Sequence, residues 1–88
     1  MIRVLSWDHL AWEDYLYWQN TDKVILKRVN LLIKGILRDP YNGIGNPEVL
    51  KSNFSGYVSR RIDNEHRIVY KVFDDKIHII QCRYHYKK

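Results

Sequence analysis

Eighty-eight residues suffice for one domain, residues 1–88, with a modest core. The single cysteine, Cys82, excludes an internal disulfide framework and points to a reducing, cytoplasmic compartment. A formal net charge of +5 favours an acidic partner: nucleic acid, an acidic protein segment or a membrane surface. No apolar run nears the ~20 residues of a membrane span. The first residues, Met1 to Asp8, are too short and too soon charged for a signal peptide. The basic residues are spread along the chain instead of lining one amphipathic helix, which sets the membrane surface aside.

In chain order, Ile2 to Leu5 is a β-prone run, and Ser6 or Asp8 can cap a helix beginning just after them. Residues 9–19 are predicted helical, with Ala11, Tyr15 and Trp18 on one stripe flanked by Trp12 and Leu16. Asn20-Thr21-Asp22 breaks the pattern and caps a second helix. There Ile25, Val29, Leu32, Ile33 and Ile36 share a face, and Asp39-Pro40 ends it. So short a link predicts an antiparallel helical hairpin lying on a sheet. Residues 39–47, with two Gly and two Pro, form a loop; Gly43 and Gly45 lack the setting of a phosphate-binding motif. Glu48 to Lys51 re-enters order as a short strand or turn beside the sheet.

Residues 57–63, 66–73 and 77–86 read as an antiparallel meander, with Asp63-Asn64-Glu65 and Asp74-Asp75-Lys76 as turns. The expected fold class is α+β. With three-residue turns Ile62 pairs with His66 and Phe73 with Ile77. Arg61 then lies opposite Arg67, Arg67 opposite Arg83, and His85 is the diagonal neighbour of Arg67. This register puts Arg61, Arg67, Lys71, Gln81, Arg83 and His85 on one face. The core face receives Val58, Arg60, Ile68, Tyr70, Val72, Ile80, Cys82 and Tyr84. A two-residue turn at Asp74-Asp75 would put His85 and Arg67 on opposite faces, because the side-chain period is two.

The residues carry no metal-ligand spacing. Cys82 and His85 point to opposite faces of a strand, and His9, His66 and His78 are scattered. No metal and no cofactor is expected. RNA cleavage without a metal needs a base for the ribose 2′-OH, a cation for the phosphoryl oxygens and an acid for the departing 5′-oxygen, each acid–base partner contributing roughly 10²–10⁴-fold. Glu48, Arg67 with Arg61, and His85 supply that set. Arg83, on the same face, is expected to contact substrate. Tyr84 and Tyr86 can stack on a base, and Tyr84 can equally be core.

The chain resembles the YoeB-type toxins of the RelE superfamily, ribosome-dependent messenger-RNA interferases of type II toxin–antitoxin pairs. The resemblance rests on Trp12 to Gln19, Pro47-Glu48-x-Leu50-Lys51, Ser55-Gly56, Ser59-Arg60-Arg61-Ile62, Glu65 to Tyr70 and Cys82-Arg83-Tyr84-His85-Tyr86. It implies an antiparallel sheet against two helices, like a microbial ribonuclease, and mRNA cleavage in the ribosomal A site. It implies Glu48 as general base and Arg67 as the arginine on the phosphoryl charge. Lys51 and Arg61 would support it, with His85 as general acid and Tyr86 orienting substrate. Its implied partners are a YefM-like antitoxin that lays an acidic segment over the site, mRNA on the 70S ribosome with its 16S rRNA, and a second toxin copy. Two features depart from the family pattern: Lys87 and Lys88 come after the His-Tyr pair, and Tyr57-Val58 stands where an aromatic pair is common.

Two other readings compete. A related-fold toxin that inhibits DNA gyrase needs no acid–base pair. A passive RNA-binding module predicts that His85→Ala weakens binding without removing a chemical step.

Overall fold

The computed structural model describes residues 3–85; Tyr86 lies outside them, as do Ile2, Lys87 and Lys88. The first strand, β1, spans Val4–Trp7, two residues later than the β-prone run suggests. Asp8 caps the next element, α1 (His9–Thr21), by accepting from the Leu10 N–H at 3.2 Å. Ser6 instead stays in the strand. Helix α1 outruns its expected end at residue 19. One residue, Asp22, makes the whole joint to α2 (Lys23–Arg38). Its N–H bonds the Trp18 carbonyl at 3.0 Å, and its Oδ1 accepts from Val24 and Ile25 at 3.1 Å each.

The apolar stripes face inward as their spacing requires. Ala11 and Trp18 of α1 and Val29, Leu32 and Ile36 of α2 are buried against Val58, Ile62, Ile68, Tyr70, Ile77, Ile79 and Cys82. Burial of each large aliphatic side chain contributes roughly 1.5–3 kcal/mol. Among the described residues no helix is long and apolar enough to cross a membrane.

Strands β2 (Glu48–Val49), β3 (Tyr57–Arg61), β4 (Arg67–Val72) and β5 (Lys76–Gln81) complete a five-stranded sheet in the order β1-β5-β4-β3-β2. Strands β2 to β5 are antiparallel neighbours, as expected, but β1 joins β5 in parallel, so the sheet is mixed. No tight turn links β1 to another strand, so local chemistry leaves its direction open.

The β3–β4 connection keeps its expected register. The Ile62 N–H bonds the His66 carbonyl at 2.9 Å and Arg61 faces Arg67. The β4–β5 turn does not. Phe73 bonds Lys76 at 2.9 Å across a two-residue Asp74-Asp75 turn, so Val72 and not Phe73 faces Ile77. A slip of one residue would reverse the outward set. A β-bulge reverses it back: Tyr70 faces Ile79 while Val69 faces Gln81, leaving Ile80 as the extra residue. From Gln81 onward the chain has the pairing a three-residue turn would have produced. The core on β5 is consequently Ile77 and Ile79, and Ile80 is only half-buried.

The last strand also stops earlier than expected, at Gln81 instead of 86. Tyr84 takes a left-handed φ of 64°, so strand alternation no longer applies there. Tyr84 is accordingly exposed and not core.

Candidate functional site

Glu48 sits on the two-residue edge strand β2, opposite Ser59, and Ser59 faces Val69, which faces Gln81. These four residues form one row on the face away from the helices. Arg61 and Arg67 form the next row on the same face. Glu48 stands about 10 Å from the Arg67 strand by strand spacing, with the Arg61 strand between them. Glu48, Lys51 and Arg61 are exposed, and Arg67 is half-buried.

The loop that leads to Glu48 is organised by a buried cation. Arg60, on the core face of β3, is fully buried and its hydrogen bonds reach no carboxylate. Its Nε donates to the Tyr70 hydroxyl at 2.9 Å and Nη1 to the Ile44 carbonyl at 3.1 Å. Its Nη2 donates to the carbonyls of Asp39 and Asn42 at 2.5 and 3.0 Å. Tyr70 passes the network on to the Pro40 carbonyl at 2.5 Å. Burial raises the Tyr70 phenol above its ordinary value, and the Arg60 hydrogen bond partly opposes that. The 39–45 loop is thus wrapped around one guanidinium. Gly43 and Gly45 take positive φ here, and a Cβ on Gly43 would lie 3.1 Å from Arg60 Nη1. These glycines make room for an arginine, not for a phosphate. The Arg61 N–H then bonds the Gly45 carbonyl at 2.6 Å, which delivers the chain to β2 and Glu48.

Arg67 donates from Nη1 to the carbonyls of Asp63 and His66 at 2.7 and 3.0 Å, which fixes its guanidinium at the end of the sheet. In the same turn Asp63 is partly desolvated, which raises its pKa. The N–H groups of His66 and Glu65 outweigh that and hold its carboxyl below the ordinary value.

The turn carrying His85 is clamped from several sides. The Arg67 N–H donates to the Tyr84 carbonyl at 2.9 Å. His66 Nδ1 accepts from the Tyr84 N–H at 2.8 Å, so the proton of neutral His66 belongs on Nε2. Gln81 Nε2 donates to the carbonyls of Arg83, Tyr84 and His85 at 2.8, 3.1 and 2.8 Å. From α1, Trp18 Nε1 donates to the Cys82 carbonyl at 2.8 Å, and Asp14 accepts from the Cys82 N–H at 3.1 Å. Burial raises the Asp14 carboxyl despite that hydrogen bond and the nearby Arg83 and His66. Burial also pushes the Cys82 thiol far up.

Arg83 does not share the face of Arg61 and Arg67. Its guanidinium lies 3.5 Å over the Tyr17 ring of α1 and 4.6 Å from the Tyr84 ring, because the strand has already ended. Arg83 and His85 instead line one pocket of about 260 Å³, together with Leu10, Asp14, Phe54 and Tyr84. Phe54 comes from the 3₁₀ turn Ser52–Phe54 after β2, at the opposite edge of the sheet. That segment therefore crosses the open face. Leu50, Ser59 and Val69, which share this face, are buried.

Residue spacing alone puts Arg61 and Arg67 on one face, and the structure agrees; it places Glu48 only beside the sheet, and the pairing with Ser59 brings Glu48 to that face. Spacing does not reveal the supports: Arg60, His66, Gln81, Asp14 and Trp18. The one readable signal for them is an arginine at a core-facing strand position beside a glycine-rich loop.

Such a sheet, backed by two helices and fronted by paired arginines and an edge carboxylate, defines a small basic α+β domain. The family model described as the YoeB-like toxin of bacterial type II toxin-antitoxin systems matches residues 7–86, and the chain belongs to this family. A Toxin YoeB of Synechocystis is 56% identical over 84 residues, covering 96% of this chain and 98% of that protein. The YoeB dimer from Staphylococcus aureus superposes with a TM-score of 0.89 at 48% identity, covering 98% of this chain and 100% of that one. The toxin in the heterotetrameric YoeB-YefM complex from the same organism superposes at 0.87, with the same identity and coverage. The chain is therefore the toxin component of a type II toxin–antitoxin pair.

Proposed function

We propose that this toxin cleaves mRNA in the ribosomal A site. The Glu48 carboxylate takes the proton of the ribose 2′-OH. The 2′-oxygen attacks the adjacent phosphorus, and Arg67 and Arg61 stabilise the charge on the phosphoryl oxygens. His85, as imidazolium, gives its proton to the 5′-oxygen as the P–O5′ bond breaks. The products are a 2′,3′-cyclic phosphate and a 5′-hydroxyl end. Lys51 and Arg83 contact the substrate, and Tyr86 orients it. The reaction uses no metal.

The observation that carries this reading is the bulge at Ile80. It restores the Val69–Gln81 pairing and sets the turn that carries His85 against the Arg67 backbone, whose N–H bonds the Tyr84 carbonyl at 2.9 Å. A gyrase inhibitor or passive RNA binder has no use for that convergence. As in the Staphylococcus aureus relatives, the expected partners are a YefM-like antitoxin and a second copy of the toxin.

The test is an in vitro translation reaction with mRNA 5′ ends mapped by primer extension. The wild-type protein should produce new 5′-hydroxyl ends in the A-site codon, and His85→Ala should not. Arrested translation with intact mRNA in both would overturn the catalytic assignment.

A further inference from the structure

The open face does not end at the arginines. From the pocket at His85 and Tyr84 an unbroken line of rings and ammonium groups leads away along the sheet. Phe54 lines that pocket and meets the Tyr57 ring edge-on, with centroids 6.2 Å apart. Lys71, paired with Tyr57 across β3 and β4, holds its Nζ 5.4 Å from the Tyr57 ring and 5.4 Å from the Phe73 ring. Lys76 holds its Nζ 5.0 Å from that same Phe73 ring. Phe73 is 38% exposed on a face that water would otherwise favour for polar residues. Asp74 and Asp75 form the turn just beyond, and their charge closes the strip to an anion there.

Nothing in the cleavage chemistry needs these groups. Phe73 lies about 20 Å along β4 from Arg67, beyond reach of the nucleotide held there. Rings for stacking, interleaved with cations, are what a single strand of nucleic acid meets on a protein surface. Base stacking tolerates any sequence, and each lysine can neutralise one phosphate. The geometry points to Phe54, Tyr57, Lys71, Phe73 and Lys76 as a track for the single-stranded RNA that flanks the cleaved phosphate on one side. The aromatic contacts hold the lysines in place before RNA arrives, which lowers the ordering cost. This inference rests on the nuclease reading for its choice of RNA over an acidic polypeptide.

The test uses the full chain carrying His85→Ala, so that RNA stays intact. Fluorescence anisotropy compares a trinucleotide with octanucleotides extended on the 5′ or the 3′ side. Extension on one side only should tighten binding. Lys71→Ala/Phe73→Ala should remove that gain, on the order of tenfold, and leave the trinucleotide unchanged. Lys76→Ala should lower the slope of log affinity against log salt by about 0.7 for the octanucleotide alone. An equal loss at both lengths, or none, overturns the track. So does a variant that loses only antitoxin binding, which would assign the strip to a protein partner. The two readings fail separately. Missing 5′ ends in the translation reaction with length-dependent binding intact would sink the nuclease and spare the track. New 5′ ends with no length effect would do the reverse.

Discussion

Replacing Arg60 by methionine keeps the length and apolar body of the side chain and removes its cation. The guanidinium makes four hydrogen bonds, to Tyr70, Ile44, Asp39 and Asn42. At roughly 1.5–3 kcal/mol each for a charged donor, they contribute about 6–12 kcal/mol before desolvation. Burying the ion costs several kcal/mol. The carbonyls left behind belong to exposed residues and regain water, while the Tyr70 hydroxyl keeps Pro40 as its acceptor. The net loss should be about 2–4 kcal/mol, against about 0.5 for a surface arginine. For a domain of this size that is a fall in Tm on the order of 10–25 °C. Because the freed loop delivers Glu48, mRNA cleavage should drop further than the unfolded fraction explains. Urea unfolding monitored by tryptophan fluorescence gives the free energy, since Trp18 is buried in the core. A variant within about 0.5 kcal/mol of wild type, or more stable, would refute the reasoning: desolvation would then match the hydrogen bonds, and packing alone would hold the loop.

Asp14 has a carboxyl raised above 3.8 by burial. A group whose pKa is raised on folding adds stability that is fully present below 3.8 and is lost as pH rises through its higher folded value. Asp14→Asn should therefore flatten the fall in Tm between 3.8 and neutral pH, while its amide oxygen still accepts from Cys82; parallel curves for the two proteins would contradict this. Cys82 is fully buried with its thiol held protonated. A disulfide reagent should label it only at the rate of unfolding and at once in denaturant, and rapid labelling of the native protein would show that α1 does not seal it.

Local pattern settled much of this molecule. The helical spacing of Val29, Leu32 and Ile36 needs no partner to be read, because it comes from helix geometry alone. Asp63 closes the β3–β4 turn through its own carboxylate, so the pairing of Arg61 with Arg67 is also a local matter. Glu48, coming after Pro47 and the loop, could be placed beside the sheet for the same reason. The rest depended on contacts between distant segments. A two-residue turn and a compensating bulge give nearly the same end point as one three-residue turn, and only the packing of Ile79 in place of Ile80 chooses between them. The direction of β1 rests on an edge of β5 that the chain reaches through both helices. Arg60 is marked in the sequence only by its core-facing strand position; its partners appear when the 39–45 loop closes over it. The His85 turn owes its course to Trp18 and Asp14, whose bonds to Cys82 span 64 and 68 positions of the chain. Residue type and spacing determined which groups could do the chemistry; hydrogen bonds between segments far apart in sequence decided where those groups stand, because short-range periodicity carries no information about them.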